Sequence, residues 1–125
     1  MVAAILTTLY LTSAGAEEVP HHGLTADSAG DVLSCLSCHD GTTAKAATLS
    51  QMVGNFLNDH PVNRTYPPSN KADEYVPIEM VAAAGIALVN GQVVCISCHN
   101  LKNQEQYHLS VSVFNSNLCF ACHIK

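Results

Sequence analysis

Three pentapeptides of one pattern, Cys35-Leu36-Ser37-Cys38-His39, Cys95-Ile96-Ser97-Cys98-His99 and Cys119-Phe120-Ala121-Cys122-His123, contain all six cysteines of the chain. Two thiols separated by two residues lie about one helical turn apart. Each can form a thioether to a vinyl group of the same porphyrin, and the residue that follows then sets its imidazole on the iron as proximal ligand. Each copy also carries an apolar residue and then a small one between its cysteines. The apolar side chain can lie on the porphyrin face, and the small one lets the backbone approach the ring. One such pentapeptide is a weak signal, whereas three that together use every cysteine are a strong one. The residues therefore point to three covalently attached haem c groups on Cys35, Cys38, Cys95, Cys98, Cys119 and Cys122, with His39, His99 and His123 as proximal ligands.

A chain of 125 residues forms one domain at most. Five Lys and Arg against ten Asp and Glu leave a formal charge of −5, with no clustered basic face for nucleic acid. Trp is absent and aromatics are 6% of the residues, so side chains alone make a thin core. Small domains of this kind need staples, and three large flat porphyrins would serve as one. The expected fold is a small, mainly α and irregular multihaem domain over residues 17–125, with a core formed largely by haems and short helices that carry the Cys-x-x-Cys-His motifs.

Residues 1–16 carry no charge and end in Ala14-Gly15-Ala16, which reads as a secretory signal peptide, although no Lys or Arg follows Met1. The competing reading is a buried N-terminal element of the mature fold. Export suits the cysteines, because haem is attached through thioethers outside the cytoplasm in bacteria and archaea.

Along the chain, residues 17–23 read as an extended polar segment holding His21 and His22. Ser28 or Asp31 can cap a short helix that enters the first motif and ends at Asp40-Gly41. Apolar residues at Leu49, Met52, Val53, Phe56 and Leu57 predict an amphipathic helix over residues 43–58. Three prolines mark residues 61–76 as a loop. A short helix is expected over 77–84, with Pro at its start and Gly85 past its end. Asn90-Gly91 between apolar runs predicts a small hairpin at about residues 86–95 that leads into the second motif. Residues 100–113 are polar and ambiguous, and Asn115 or Ser116 can cap a last helix carrying the third motif.

Beyond the three proximal histidines, four remain: His21, His22, His60 and His108. Three irons need three sixth ligands, so imidazole suffices to close every iron on both faces, with one ring to spare. Such an iron is shielded from substrate and changes shape little between its oxidation states, which suits electron transfer and not catalysis. At least one of His21 and His22 is expected to be a ligand; adjacent residues of an extended chain point opposite ways, so one could reach a haem of its own subunit and the other a haem in a neighbouring one. His22 or His21 stands closest in sequence to the first motif, which leaves His60 and His108 for the other two haems. Met52 and Met80 are read as core residues and not as ligands.

The segments Cys35-Leu-Ser-Cys-His-Asp-Gly-Thr, Asp59-His60-Pro61-Val62, Leu88 to His99 and Asn117 to His123 resemble those of the paired-CxxCH multihaem c-type cytochromes. The resemblance covers most of residues 20–125. It implies that His60, in its His-Pro-Val stretch, is a distal ligand. It also implies an electron carrier exported to the periplasm or the cell exterior, with other redox proteins or identical subunits as partners. Some relatives polymerise into filaments in which a histidine of one subunit completes a haem in the next, so a homopolymer is among the expectations. Contact with a membrane would be confined to the transient export signal. A departure is that no histidine follows closely after His99.

Two rival readings remain open on the sequence. One is a small haem redox enzyme, or enzyme subunit, with one five-coordinate iron. The other is a zinc or disulfide protein, in which three Cys-x-x-Cys pairs leave one unmatched and the histidine after each pair goes unexplained.

Overall fold

The computed structural model describes residues 17–47 and 62–124. The signal segment, the amphipathic helix expected over 43–58 beyond its first residues, Met52 and His60 lie outside the described residues.

The described chain begins with a hairpin. Strands β1 (Glu18–His21) and β2 (Leu24–Asp27) pair antiparallel, with His21 opposite Leu24 and Pro20 opposite Thr25. His22 and Gly23 make the two-residue turn, with φ of 50° and 80°. Both central residues of such a turn need positive φ, which glycine takes freely and histidine less readily. The turn therefore holds His21 and His22 together at a hairpin tip, where the sequence predicts an extended segment.

Asp31 caps helix α1 (Val32–Leu36): its Oδ1 accepts from the Ser34 N–H at 2.7 Å and from the Ser34 hydroxyl at 2.7 Å. The helix stops at Leu36, short of the expected Asp40-Gly41, and the rest of the first motif continues in turns. Asp40 ends that stretch by accepting from Thr42 and Thr43 N–H at 2.7 and 2.9 Å, a local ring that competes with helical bonding.

Within the expected loop 61–76 lie a two-residue strand, β3 (Arg64–Thr65), and one 3-10 turn, Ala72–Glu74. Helix α2 (Ile78–Ala83) follows Pro77, and Gly85 leaves it at φ 87°. Asn90 and Gly91 form the turn at φ 52° and 70°, and Val89 and Gln92 exchange both backbone hydrogen bonds, at 3.1 and 2.9 Å. The ladder goes no further, since β4 (Gln92–Val93) pairs antiparallel with β3 instead. The reason is local. Ile86 is drawn into the core with its N–H on the Val81 carbonyl, and the Ala87 carbonyl is taken by the Ser97 hydroxyl, so this arm is held by the core and by Ser97 and not by a ladder to 93–94.

Helices α3 (Cys95–Cys98) and α4 (Asn117–Phe120) carry the second and third motifs. Ser116 precedes α4 at φ 60° without a side-chain cap, and the Leu118 N–H reaches back to the Ser112 carbonyl at 3.1 Å. Among the described residues no helix is long and apolar enough to cross a membrane.

The core is small. Tyr66, Val81 and Ile86 form its centre, ringed by Tyr75, Leu88, Val93, Leu118 and Cys122. Large apolar side chains stay outside it: Leu33 is 75% exposed and Phe114 73%. Met80, expected in the core, is 61% exposed, because α2 turns Val81 inward and little else.

Ser97 is the buried polar group that ties the second motif to this core. Its hydroxyl donates to the Ala87 carbonyl and accepts from the Val94 N–H at 3.0 Å, with 1% of the residue exposed. Ser97→Ala leaves the buried Val94 N–H unpaired and frees the half-buried Ala87 carbonyl, and should lower stability by about 1–3 kcal/mol, read as a lower urea midpoint at unchanged slope.

Candidate functional site

The three motifs share one local geometry. In each, the histidine N–H donates to the carbonyl of the first cysteine: His39 to Cys35 at 3.0 Å, His99 to Cys95 at 3.0 Å and His123 to Cys119 at 2.9 Å. This is one helical turn, and it sets both thiols and the imidazole of a motif on the same short coil. All six thiols are unbridged.

The imidazoles of the first two motifs are oriented by the loops that follow them. His39 Nδ1 lies 3.0 Å from the Lys45 carbonyl oxygen and His99 Nδ1 2.8 Å from that of Tyr107. A carbonyl only accepts, so Nδ1 carries a proton, and in the neutral ring the lone pair is on Nε2. Histidines that bind metals commonly show this arrangement, with the second ring nitrogen donated to a backbone carbonyl. His108 repeats it, with Nδ1 on the Asn103 carbonyl.

Around His39 the structure gathers more imidazoles. One ligand nitrogen from each of His21, His22 and His39 lies within 4.8 Å of the others. The rings of His21 and His22 are 4.2 Å apart, and they stand 6.0 and 6.3 Å from His39. His108 closes the group at 5.1 Å from His21 and 5.9 Å from His22. Burial pushes the His21 pKa down, and the charges of His22, His108, His39 and His99 add to that, which favours the neutral ring. Its Nδ1 is buried without a hydrogen-bond partner. The adjacent pair His21 and His22 thus converges on one cluster, where the extended reading placed them on opposite sides.

The thiols of the first two motifs also meet. The Cys35 S–H donates to Cys95, which raises the Cys35 pKa and lowers that of Cys95 to about 7. Burial raises Cys98, with the neighbouring Cys122, Cys95 and Cys119 adding to it. Beside His99 lies a groove of about 340 Å³, lined by Ala87, Ile96, Lys102 and Ser110 among others. The Ser110 hydroxyl is buried and unpaired.

The third motif is held differently. The Val76 N–H donates to the Cys122 carbonyl at 3.0 Å and the Ile124 N–H to that of Glu74 at 2.9 Å, so residues 74–76 run alongside it. The Tyr75 ring lies 4.6 Å from that of His123. The Tyr66 hydroxyl stands 2.9 Å from the Cys122 carbonyl and 2.7 Å from that of Val76.

Of the candidate ligands, His21, His22, His39 and His108 come together, with His99 close enough to His21 to act on its charge. His123 stands with Tyr75, and His60 lies outside the described residues. Tyr66, Tyr75 and the orienting carbonyls of Lys45, Asn103 and Tyr107 were not legible as site residues. A carbonyl belongs to every residue, and nothing in the spacing ties Tyr66 to Cys122.

The donor set suits a covalently held haem. It offers paired thiols on a helical turn, an adjacent imidazole with its Nε2 lone pair presented, and further imidazoles within reach. Comparison with family models, with curated proteins and with solved structures found no match for the chain.

Desolvation raises the Tyr66 hydroxyl from 10.0 to about 12, ahead of smaller contributions from Cys122 and Tyr75. The folded chain then holds a proton that the unfolded chain releases near pH 10. The stabilisation is complete below pH 10 and is lost as pH climbs through about 12. Stability measured by urea titration should fall over that window, and Tyr66→Phe should flatten the fall.

Proposed function

We propose that this protein is an exported electron carrier holding three haem c groups, each closed by two histidines. The observation that carries the reading is the threefold Cys-x-x-Cys-His turn, whose first two histidines present Nε2 because Nδ1 is spent on the backbone. Cys35 and Cys38 would hold one haem with His39, Cys95 and Cys98 a second with His99, and Cys119 and Cys122 a third with His123. His21, His22 and His108 are the candidates for the sixth positions at the first two motifs, and His60 remains the candidate for the third. Haem bound there supplies an iron that alternates between Fe(III) and Fe(II).

The residues of the chain supply the rest. Carbonyls of Lys45 and Tyr107 fix the tautomer and plane of the proximal rings. Leu24, Leu33 and Phe120, now in solvent, offer apolar surface for a porphyrin to cover. The contact between Cys35 and Cys95 supports a close approach of the first two haems, as electron transfer between them requires. Redox proteins or further copies of the chain are the proposed partners, including a filament of identical subunits, in the periplasm or outside the cell.

A second reading rests on the trio His21, His22 and His39, whose spacing would also hold one divalent ion such as Zn2+. It leaves the repeated thiol pairs without a role.

An alkaline pyridine spectrum decides between them. Three haems per chain are expected, and the paired change Cys119→Ser with Cys122→Ser should leave two. Carbon monoxide should not shift the reduced parent spectrum, whereas His108→Ala should open one iron and give a partial shift. A chain with no haem and one equivalent of zinc by elemental analysis would establish the second reading instead.

A further inference from the structure

The three motifs are not oriented alike, and the third depends on a side chain far away in sequence. Tyr66 is 4% exposed, and its hydroxyl bridges the carbonyls of Val76 and Cys122 at 2.7 and 2.9 Å. The Cys122 carbonyl and the His123 N–H belong to one planar peptide unit. On its oxygen side that unit accepts from the Val76 N–H at 3.0 Å and shares the single proton of the Tyr66 hydroxyl with the Val76 carbonyl; on its nitrogen side it donates to the Cys119 carbonyl at 2.9 Å. The peptide from which the His123 side chain departs is therefore held from both sides. The ring itself lies against Tyr75, tilted 45° to it, and Tyr75 in turn packs edge-on to Tyr66 at 5.5 Å.

We propose that Tyr66 is a positioning residue for the third haem, acting with Tyr75 to set the plane of the His123 imidazole and hence the properties of that iron alone. The proposal rests on the triheme reading. Its physical basis is that the groups holding an axial imidazole set its orientation and basicity, and through them the iron. At the first two motifs that task falls to loop carbonyls within eight residues of the histidine. At the third, the peptide that carries His123 also meets a tyrosine 56 residues from Cys122 in the chain. A buried tyrosine serving only the core would contribute to stability and leave every iron as it was.

The test uses the holoprotein with all three haems in place. Tyr66→Phe keeps the buried ring and removes the bridging hydroxyl, while Tyr75→Leu removes the ring against His123 and leaves Tyr66 intact. Ferric low-spin signals are read by electron paramagnetic resonance, midpoint potentials by spectroelectrochemical titration and haem content by the pyridine spectrum. The expected result is three haems in each variant, with one low-spin signal displaced and one midpoint moved. Both variants should alter the same signal, and it should be the one missing from the Cys119→Ser, Cys122→Ser protein. If Tyr66→Phe does not accumulate, the Tyr75→Leu result decides alone. Signals and midpoints identical to the parent, or changes spread over all three haems, overturn the assignment while the triheme reading stands. A parent without haem overturns both.

Discussion

An imidazole has two nitrogens, and giving one to the backbone decides what the other can do. In this chain the Nδ1 atoms of His39, His99 and His108 meet carbonyls of Lys45, Tyr107 and Asn103. Each neutral ring is thereby fixed in the tautomer with its lone pair on Nε2. The loops after the first two motifs are shaped around these bonds. The Ala47 N–H returns to the His39 carbonyl at 3.0 Å, and Asn100 and Leu109 close the segment between His99 and His108. Much of the irregular backbone here is the scaffold of those hydrogen bonds.

The second constraint is the shortage of apolar packing. Among the described residues the core centred on Tyr66, Val81 and Ile86 is small, and side chains such as Leu33 and Phe114 remain in solvent. Apolar surface left open among the described residues is surface that another apolar body can cover. The proposed haems would be such bodies, and they would also carry the electrons. Stability and function would then rest on the same groups, with the tyrosines near the third motif joining the protein core to the redox chain.

The local elements and the tertiary arrangement were unequally legible. A cap at Ser28 or Asp31 (Asp31 in the structure), a helix opening after Pro77 and a turn at Asn90-Gly91 could be read because each depends on a few neighbouring residues. The β1–β2 hairpin could not, since Pro20 argues against a strand and His22 is an unusual turn residue. The extent of the 86–95 hairpin also escaped the pattern, because Ile86 and Ala87 answer to the core and to Ser97, not to their strand neighbours.

By itself the sequence determined the chemistry on offer: three Cys-x-x-Cys-His repeats, every cysteine within them, and four further histidines outside them. Those are properties of residue type and short spacing, which the chain carries wherever it folds. Only the tertiary structure decided which rings meet. It brought His21 and His22 together at a hairpin tip beside His39 and His108, and it set Tyr66 on the carbonyl of Cys122. The physical reason is that such meetings depend on turn conformations and on carbonyls far apart in the chain, and carbonyls carry no sequence signature.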